Sequence, residues 1–373
     1  MSKPRVVVAG LGDSGLLSAV HLARARQVGE VVGISAKTAL VSGQELGVRL
    51  ARPDDWARDY FIGFDRFRGL DGVRTVHGNL LGLDPAARSV TVEDADGATH
   101  AEPYDVLVIA TGVTNGFWRR PDVQSPAEVE AELRSAHERL GSAGTIAVVG
   151  GGAAAVSSAL NVALAWPSAS VHLYFPGERA LPHHHGRVWR RVQHRLAEAG
   201  VALHAGHRAV VPEGFACDEI TEGPLRWSTG QPPAEADAVL WAIGRVSPNS
   251  SWLPTGLLDA DGFVRVDPQL RVPEVQGVWA VGDIAATDPL RTSARNRADK
   301  LLAHNIRATI SDRELKDYEP PRRRWGSVLG VQPDGLEVFA ANGRAFRFPA
   351  WTIDSVLQPW IVRRGIYGGV RRS

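Results

Sequence analysis

The 373-residue chain holds a single cysteine, Cys217. No intrachain disulfide and no CxxC pair can form, which excludes dithiol reductases and cysteine-based sulfide oxidation. An excess of charge of either sign is also missing. The 42 Lys and Arg against 41 Asp and Glu leave a formal net charge of +1, so no strong field points to nucleic acid or to an acidic partner. No apolar run of roughly eighteen residues occurs, and no membrane-spanning helix is expected. The N-terminus, MSKPRVVVAG, enters an apolar strand almost at once and leaves no room for a signal peptide. A cytoplasmic protein is the default expectation. What remains is an ordinary soluble composition, 44% hydrophobic and 22% charged, in a chain long enough for two or three domains.

Glycine is abundant and patterned. VVVAGLGDSG places Gly10, Gly12 and Gly15 directly after an apolar run, and AVVGGGAAA repeats the arrangement with Gly150, Gly152 and Ala155. In such a turn the first glycine permits the tight bend. The second lets the backbone approach a pyrophosphate, and the third small residue lets helix and strand pack closely. The following helix N-terminus offers free N–H groups and partial positive charge to phosphates. A third motif, VWAVGD, ends in Gly282 and Asp283. That Asp can accept from a ribityl hydroxyl or cap the next helix. The triplets Ala110-Thr111-Gly112 and Ala242-Ile243-Gly244 read as crossover turns between domains. Two fingerprints and a closing motif imply two dinucleotides held at once, which a flavin-dependent, pyridine-nucleotide-driven redox enzyme requires.

Periodicity orders the chain as a nucleotide unit, a second unit inserted after it, and a return to the first. Strands are expected at 4–9, 30–35, 104–112, 145–149, 171–175, 201–204, 238–244 and 278–281. Helices are expected at 14–25, 125–140, 154–165, 187–198 and 292–309. Ser125 followed by Pro126 and acids is a strong helix start. Asp96-Gly97 and Asp261-Gly262 carry hairpin turn chemistry. The fold class is α/β with two Rossmann-like dinucleotide-binding domains, one inserted in the other, and a small C-terminal region. The expected boundaries are 1–118 and 251–315 for the outer domain, 119–250 for the inserted one and 316–373 for the tail.

Several positions leave alternatives open. Asp13 suits the helix dipole but repels a phosphate unless it points away. Ser35 stands at the strand end where an acid for a ribose is usual. Lys37 is either a nucleotide contact or a solvated loop lysine. In the second unit Phe175 holds the acid's place. Glu178 would bond two ribose hydroxyls and favour NADH, whereas Arg179 would pair with a 2′-phosphate and favour NADPH. His183–His185 invite a metal reading, but adjacent residues share no face and no acid or cysteine cluster is near. No metal is expected. In the tail Ile353, Val356, Leu357, Trp360 and Ile361 fall at helical spacing, followed by Arg363, Arg364, Arg371 and Arg372. This segment either rests on a membrane surface or docks on the protein itself or on a second subunit.

GLGDSG, VLVIATG, VVGGGAAAV, WAIGRVSPNS and VWAVGD, in that order, resemble the two-dinucleotide-domain FAD oxidoreductases driven by pyridine nucleotides. Within them the chain is most similar to the apoptosis-inducing-factor-like, ferroptosis-suppressor type and then to the type II NADH dehydrogenases. The resemblance covers roughly residues 4–310. It implies FAD on the outer domain and NAD(P)H on the inserted one. By position, Gly10, Gly12, Ser14 and Gly15 would hold the FAD pyrophosphate, with Ser35 and Lys37 by the adenosine and the Leu80 backbone by the adenine. Ala110, Thr111 and Gly112 would lie near the flavin, and Asp283 would hold the ribityl chain. Gly150, Gly152 and Ala155 would serve the second nucleotide, and Gly244 in its crossover turn is a further cofactor-binding candidate. The chain departs from the family at Ser35, at Ser157, where an acid near the nicotinamide is frequent, and at Arg295, Arg297 and Lys300, where small residues are usual.

The expected reaction is hydride transfer from NAD(P)H to FAD and electron transfer onward, with a quinone as the favoured acceptor. The protein's part is placement and electrostatics. No catalytic acid can be named from sequence. Two other readings stand beside it: a reductase of a ferredoxin-like protein, docked through the basic tail, and a non-catalytic flavoprotein that senses nucleotide. The oligomeric state is not legible.

Overall fold

The computed structural model describes residues 2–43, 45–116, 120–273, 275–291 and 297–371. Arg295, Arg372 and the expected boundary at residue 118 lie outside the described residues.

The first half of the chain runs β1 (Val6–Ala9), α1 (Asp13–Ala23), β2 (Val31–Ser35), β3 (Ala39–Val41), α2 (Leu46–Ala51), α3 (Pro53–Tyr60), β4 (Phe61–Gly63), β5 (Val73–Asp84), β6 (Ser89–Asp94), β7 (Thr99–Pro103), β8 (Val106–Ile109) and β9 (Val113–Thr114). Then follow α4 (Pro126–Gly141), β10 (Thr145–Val149), α5 (Ala153–Ala165), β11 (Ser170–Tyr174), α6 (Gly186–Glu198), β12 (Ala202–His204), β13 (Ala238–Trp241) and β14 (Ser247–Pro248). The chain closes with β15 (Val278–Ala280), α7 (Ala298–Ile310), β16 (Gly326–Gln332), β17 (Gly335–Phe339), β18 (Ala345–Phe348) and a wide, π-type helix, Ile353–Ile366.

Two sheets carry the fold. The larger has the order β15-β8-β1-β2-β5-β6-β7, and the smaller β12-β11-β10-β13. The larger sheet is left after β8 and re-entered at β15, with the whole smaller sheet between, so the second nucleotide unit is an insertion. Pairing is parallel from β15 through β5 and throughout the smaller sheet. Parallel strands are covered on both faces, which is why β1 reads VVVA without alternation. Val6 and Val8 pack with Leu16 and Val20 of α1, while Val7 and Ala9 join a second cluster with Trp252 and Val278 on the opposite face. β5 is long enough to serve two neighbours. Val73–His77 pair with β2, and the remainder starts the antiparallel β5-β6-β7 meander.

The local signals explain most boundaries. Ser125 and Glu128 form a reciprocal capping box at α4, with Pro126 at the first helical position. The Asp96-Gly97 turn joins β6 to β7, with Asp94 accepting from the amides of Asp96 and Ala98. Asp261-Gly262 makes a tight turn but supports one antiparallel bridge, Leu258 to Val264, rather than a hairpin. The strands stop there because Val264 pairs on its other side with Ala285. The helix expected from 292 is described from Ala298, and Thr292–Asn296 lie outside the described residues.

The C-terminal region differs most from expectation. It opens with the three-stranded antiparallel sheet β16-β17-β18, whose Val328, Leu329 and Phe339 complete the core around α5. The terminal helix bonds i to i+5, as Tyr367 N–H to Val362 O at 3.0 Å shows. The wider turn rotates the expected apolar stripe apart. Ile353 and Gln358 are buried, whereas Trp351, Val356, Trp360, Ile361 and Ile366 stand exposed.

A histidine stack on the smaller sheet sets a pH response. His172 and His204 lie ring to ring with 3.0 Å between Nδ1 and Nε2, and Tyr174 stacks on His204 at 4.3 Å. Burial lowers the pKa of both below the ordinary 6.5, and for His204 the neighbouring His172 and His207 lower it further. The unfolded chain therefore takes up protons before the folded one. The stability held by the neutral stack is complete above pH 6.5 and is lost as pH falls through the depressed folded values. The melting temperature should fall more between about pH 7.5 and pH 5.5 in the parent than in a His204→Phe variant. Parallel falls in the two proteins would remove the stack as the cause.

Candidate active site

One cavity of about 1150 Å³ draws the motifs together. Gly10, Gly12 and Ser14 line it from the β1–α1 turn, and Ser35 and Lys37 from the end of β2. Leu80 lines it from β5, and Ala110, Thr111 and Gly112 from the end of β8. Gly152 and Arg179 belong to the inserted unit, Gly244 to the returning crossover, and Gly282 and Asp283 to the end of β15. All but Leu80 follow the C-terminal end of a parallel strand, where ligands bind in open α/β sheets, and Leu80 lies in the antiparallel part of β5.

Four of the expected residues do not line it. Gly15 and Gly150 are demanded by packing: a Cβ on Gly15 would overlap the Gly10 carbonyl, and one on Gly150 the Ala242 carbonyl. Ala155 is fully buried beneath Gly150. Glu178 is exposed and is not part of the wall. Gly12 and Gly152 behave differently. Each has an ordinary extended backbone, and a Cβ on either would meet nothing within 4 Å. The fold itself therefore does not require glycine at these two helix caps. The open space in front of each helix N-terminus fits a pyrophosphate bound to backbone N–H groups.

The acid in the first fingerprint is turned aside. Asp13 Oδ1 accepts from the Ser42 hydroxyl at 2.8 Å and Oδ2 from the Gly43 amide at 3.1 Å. Its charge is thus shared with the β3–α2 loop. Lys37 is not a solvated loop residue. Its Nζ donates to the carbonyls of Arg120 (3.0 Å) and Asp122, and burial lowers its pKa. It clamps the 120–122 loop to the end of β2, while the Ser35 hydroxyl accepts from the Lys37 amide. The Gly282 turn, at φ +84°, brings a Cβ position to 3.0 Å from Ser14 Oγ, so the third motif closes directly on the first.

Two further cavity residues help to shape the site. Asn249 holds the crossover: its amide donates to Gly112 O at 3.0 Å and its Nδ2 to Thr111 O at 3.0 Å. It receives from the hydroxyls of Thr111 and Thr114, each at 2.8 Å. Asn249 falls within the WAIGRVSPNS segment, but nothing local assigns it this role. Arg49 of α2 is fully buried, donates to Ser42 O and stacks its guanidinium 4.2 Å from the Trp56 ring centre. A buried cation in the wall favours a ligand that gains negative charge. No spacing rule marks an isolated arginine.

Ser157 has a packing reason. α2 crosses α5 so closely that a Cβ on Gly47 would overlap Ser157. The histidine run takes ordinary roles: His185 caps α6 by accepting from the Arg187 amide at 3.2 Å, and His184 is buried. Cys217 lines the cavity, but burial pushes its thiol pKa up, away from the reactive thiolate.

Comparison with known proteins agrees with this geometry. Ferroptosis suppressor protein 1 of Xenopus tropicalis is 25% identical over 331 residues, covering 85% of this chain and 83% of that protein. The type II NADH:quinone oxidoreductase Ndh of Mycobacterium tuberculosis is 25% identical over 291 residues, covering 66% and 60%. The sulfide:quinone oxidoreductase of Aquifex aeolicus shares the fold with a TM-score of 0.73 at 17% identity, covering 99% and 93% of the two chains. With residues 4–304 matching the family throughout, the chain belongs to the pyridine nucleotide-disulphide oxidoreductases, enzymes that use FAD and NAD(P)H.

Proposed function

We propose that this protein is a quinone reductase: FAD sits on the larger sheet, NAD(P)H on the smaller, and the electrons leave to a quinone. The observation that carries the reading is the shared cavity, in which both open glycine caps face one space while its single thiol has no partner. FAD, when bound, accepts hydride from the nicotinamide and releases the electrons singly or in pairs. The chain's own part is placement. Helix N-termini at Gly12 and Gly152 would hold phosphates, Asp283 would accept from the ribityl chain, and Asn249 fixes the turn between the two units. Without a second cysteine no dithiol relay can stand between flavin and acceptor. The partition into 1–118 and 251–315 for FAD, 119–250 for the nicotinamide nucleotide and 316–373 for the tail belongs to the same reading. Quinone-reducing relatives support the acceptor. The test is anaerobic stopped-flow mixing with NADH and NADPH, then turnover with a soluble quinone against a ferredoxin. No flavin bleaching by either nucleotide sinks the enzyme reading, and turnover with ferredoxin alone replaces the quinone.

A lipid-soluble acceptor places the enzyme at a membrane surface, and the terminal helix fits that task. In the helix Trp360 is 58% exposed and Val356, Ile361 and Ile366 are exposed too, and ahead of it Phe346 of β18 and Trp351 are 63% and 72% exposed. Arg364 lies over the Trp360 ring at 5.2 Å, an interfacial pairing. The other arginines have a different job: Arg363 pairs with Asp59 at 2.9 Å and Arg371 with Asp71 at 2.7 Å. One side of the helix thus docks on the protein while the apolar ridge stays outward. Among the described residues no helix is long and apolar enough to cross a membrane. Replacing both Trp351 and Trp360 with serine should weaken binding to anionic vesicles by about tenfold or more. Unchanged sedimentation with vesicles would rule the ridge out as an anchor.

A further inference from the structure

The loop after β11 follows the strand whose end meets the adenosine ribose in dinucleotide-binding folds. An unphosphorylated adenosine ribose is usually bonded by an acid at the end of this strand. Here that residue is Phe175, 2% exposed and packed edge-on against Trp189 at 5.6 Å. It cannot touch a ribose hydroxyl. Glu178, three residues further on, is exposed and does not line the cavity.

Two cations take the place of the missing acid. Arg179 lines the cavity from the loop after β11, and Arg208 from the loop after β12. These loops are clipped together, since the Gly206 amide donates to Gly177 O at 3.1 Å and the His207 amide to Phe175 O at 3.0 Å. Arg179 uses one N–H on the Pro182 carbonyl at 3.3 Å. Neither Arg179 nor Arg208 has a carboxylate partner among the described residues.

The surroundings have the same sign. The imidazole of His185 has its pKa lowered by burial and then by Arg323, Arg187, Arg190 and Arg179. Arg323, Arg187, Arg190 and Arg179 therefore all act on His185, in a chain whose net charge is only +1. Arg187, Arg190 and Arg323 also lack a carboxylate partner among the described residues. Unpaired like charges repel and cost stability unless a dianion joins them.

We propose that the preferred reductant is NADPH, with its 2′-phosphate held by Arg179 and Arg208 and drawn in by the arginine rim. The proposal rests on the reading that this half of the cavity takes the nicotinamide nucleotide. It adds the specificity that reading leaves open. Charge-assisted contacts from two guanidiniums to one phosphate are strong enough for a preference on the order of 100-fold.

Binding of 2′,5′-ADP and of 5′-ADP to the yellow holoprotein, followed by calorimetry at low and at high salt, tests the site without turnover. The phosphorylated fragment should bind on the order of 100-fold more tightly at low salt. Arg179→Ala with Arg208→Ala should bring the two fragments to within about threefold, and Arg208→Ala alone, at an exposed position, should close part of the gap. Arg179→Lys should retain some preference, because the charge survives but the fork does not. Equal binding of both fragments overturns the NADPH assignment and leaves the nucleotide site standing. Failure of both to bind overturns the site as well.

Discussion

Gly12→Val should give a folded protein without colour. The backbone at Gly12, φ −70° and ψ −170°, suits any residue, and its Cβ direction is empty. Helix α1 loses no side-chain cap, because Gly12 offers none, so the fold loses at most about 1 kcal/mol. The branched side chain, however, would stand where the helix N-terminus meets a phosphate. FAD affinity should fall at least about 100-fold, roughly 2.7 kcal/mol. Flavin absorbance relative to protein absorbance reads the loss, while circular dichroism and melting confirm the fold. Gly15 cannot serve for this purpose: a Cβ there overlaps the Gly10 carbonyl, and misfolding would mimic loss of the ligand. A Gly12→Val protein that stays yellow with parental affinity would remove the pyrophosphate from this turn.

Gly152→Val should show the reverse behaviour, a yellow protein that its reductant bleaches poorly. Gly152 has φ −87° and ψ 177°, and again nothing lies within 4 Å of the added atom. The larger sheet is untouched, so flavin content should match the parent. Reduction at low nucleotide concentration should slow by about 100-fold, recovering in part at high concentration, because a ground-state contact has been lost. Release of flavin on this substitution would merge the two pockets and break the assignment of one nucleotide to each sheet. The pair of variants is thus a reciprocal test in which each controls for the other.

Much of the site was legible because its requirements are local. A glycine that must bend under a helix, an apolar run buried on both faces and a capping box each act over a few residues. Gly10, Gly12, Gly150 and Gly152 and the strands behind them stand close to where periodicity places them. Asn249 and Arg49 were not legible as site residues. Asn249 acts on Thr111, 138 positions away, and Arg49 is defined by burial rather than by neighbours in sequence. The tail stripe was read at α-helical spacing, and i to i+5 bonding split it into a docked side and an outward ridge.

From sequence alone came the number of nucleotide units, their nesting, the class of cofactors and the absence of dithiol chemistry. These follow from steric limits on single residues and from a count of one cysteine. Tertiary structure decided the side-chain meanings. It turned Asp13 toward Ser42, buried Phe175 against Trp189, left Glu178 out of the cavity lining and put Arg208 in that lining with Arg179. It also explained Ser157 by the close crossing of α2 and α5. Direction, burial and distance between strand ends are properties of the packed sheets. No local pattern carries them, because the partners that fix each side chain lie tens to hundreds of residues away.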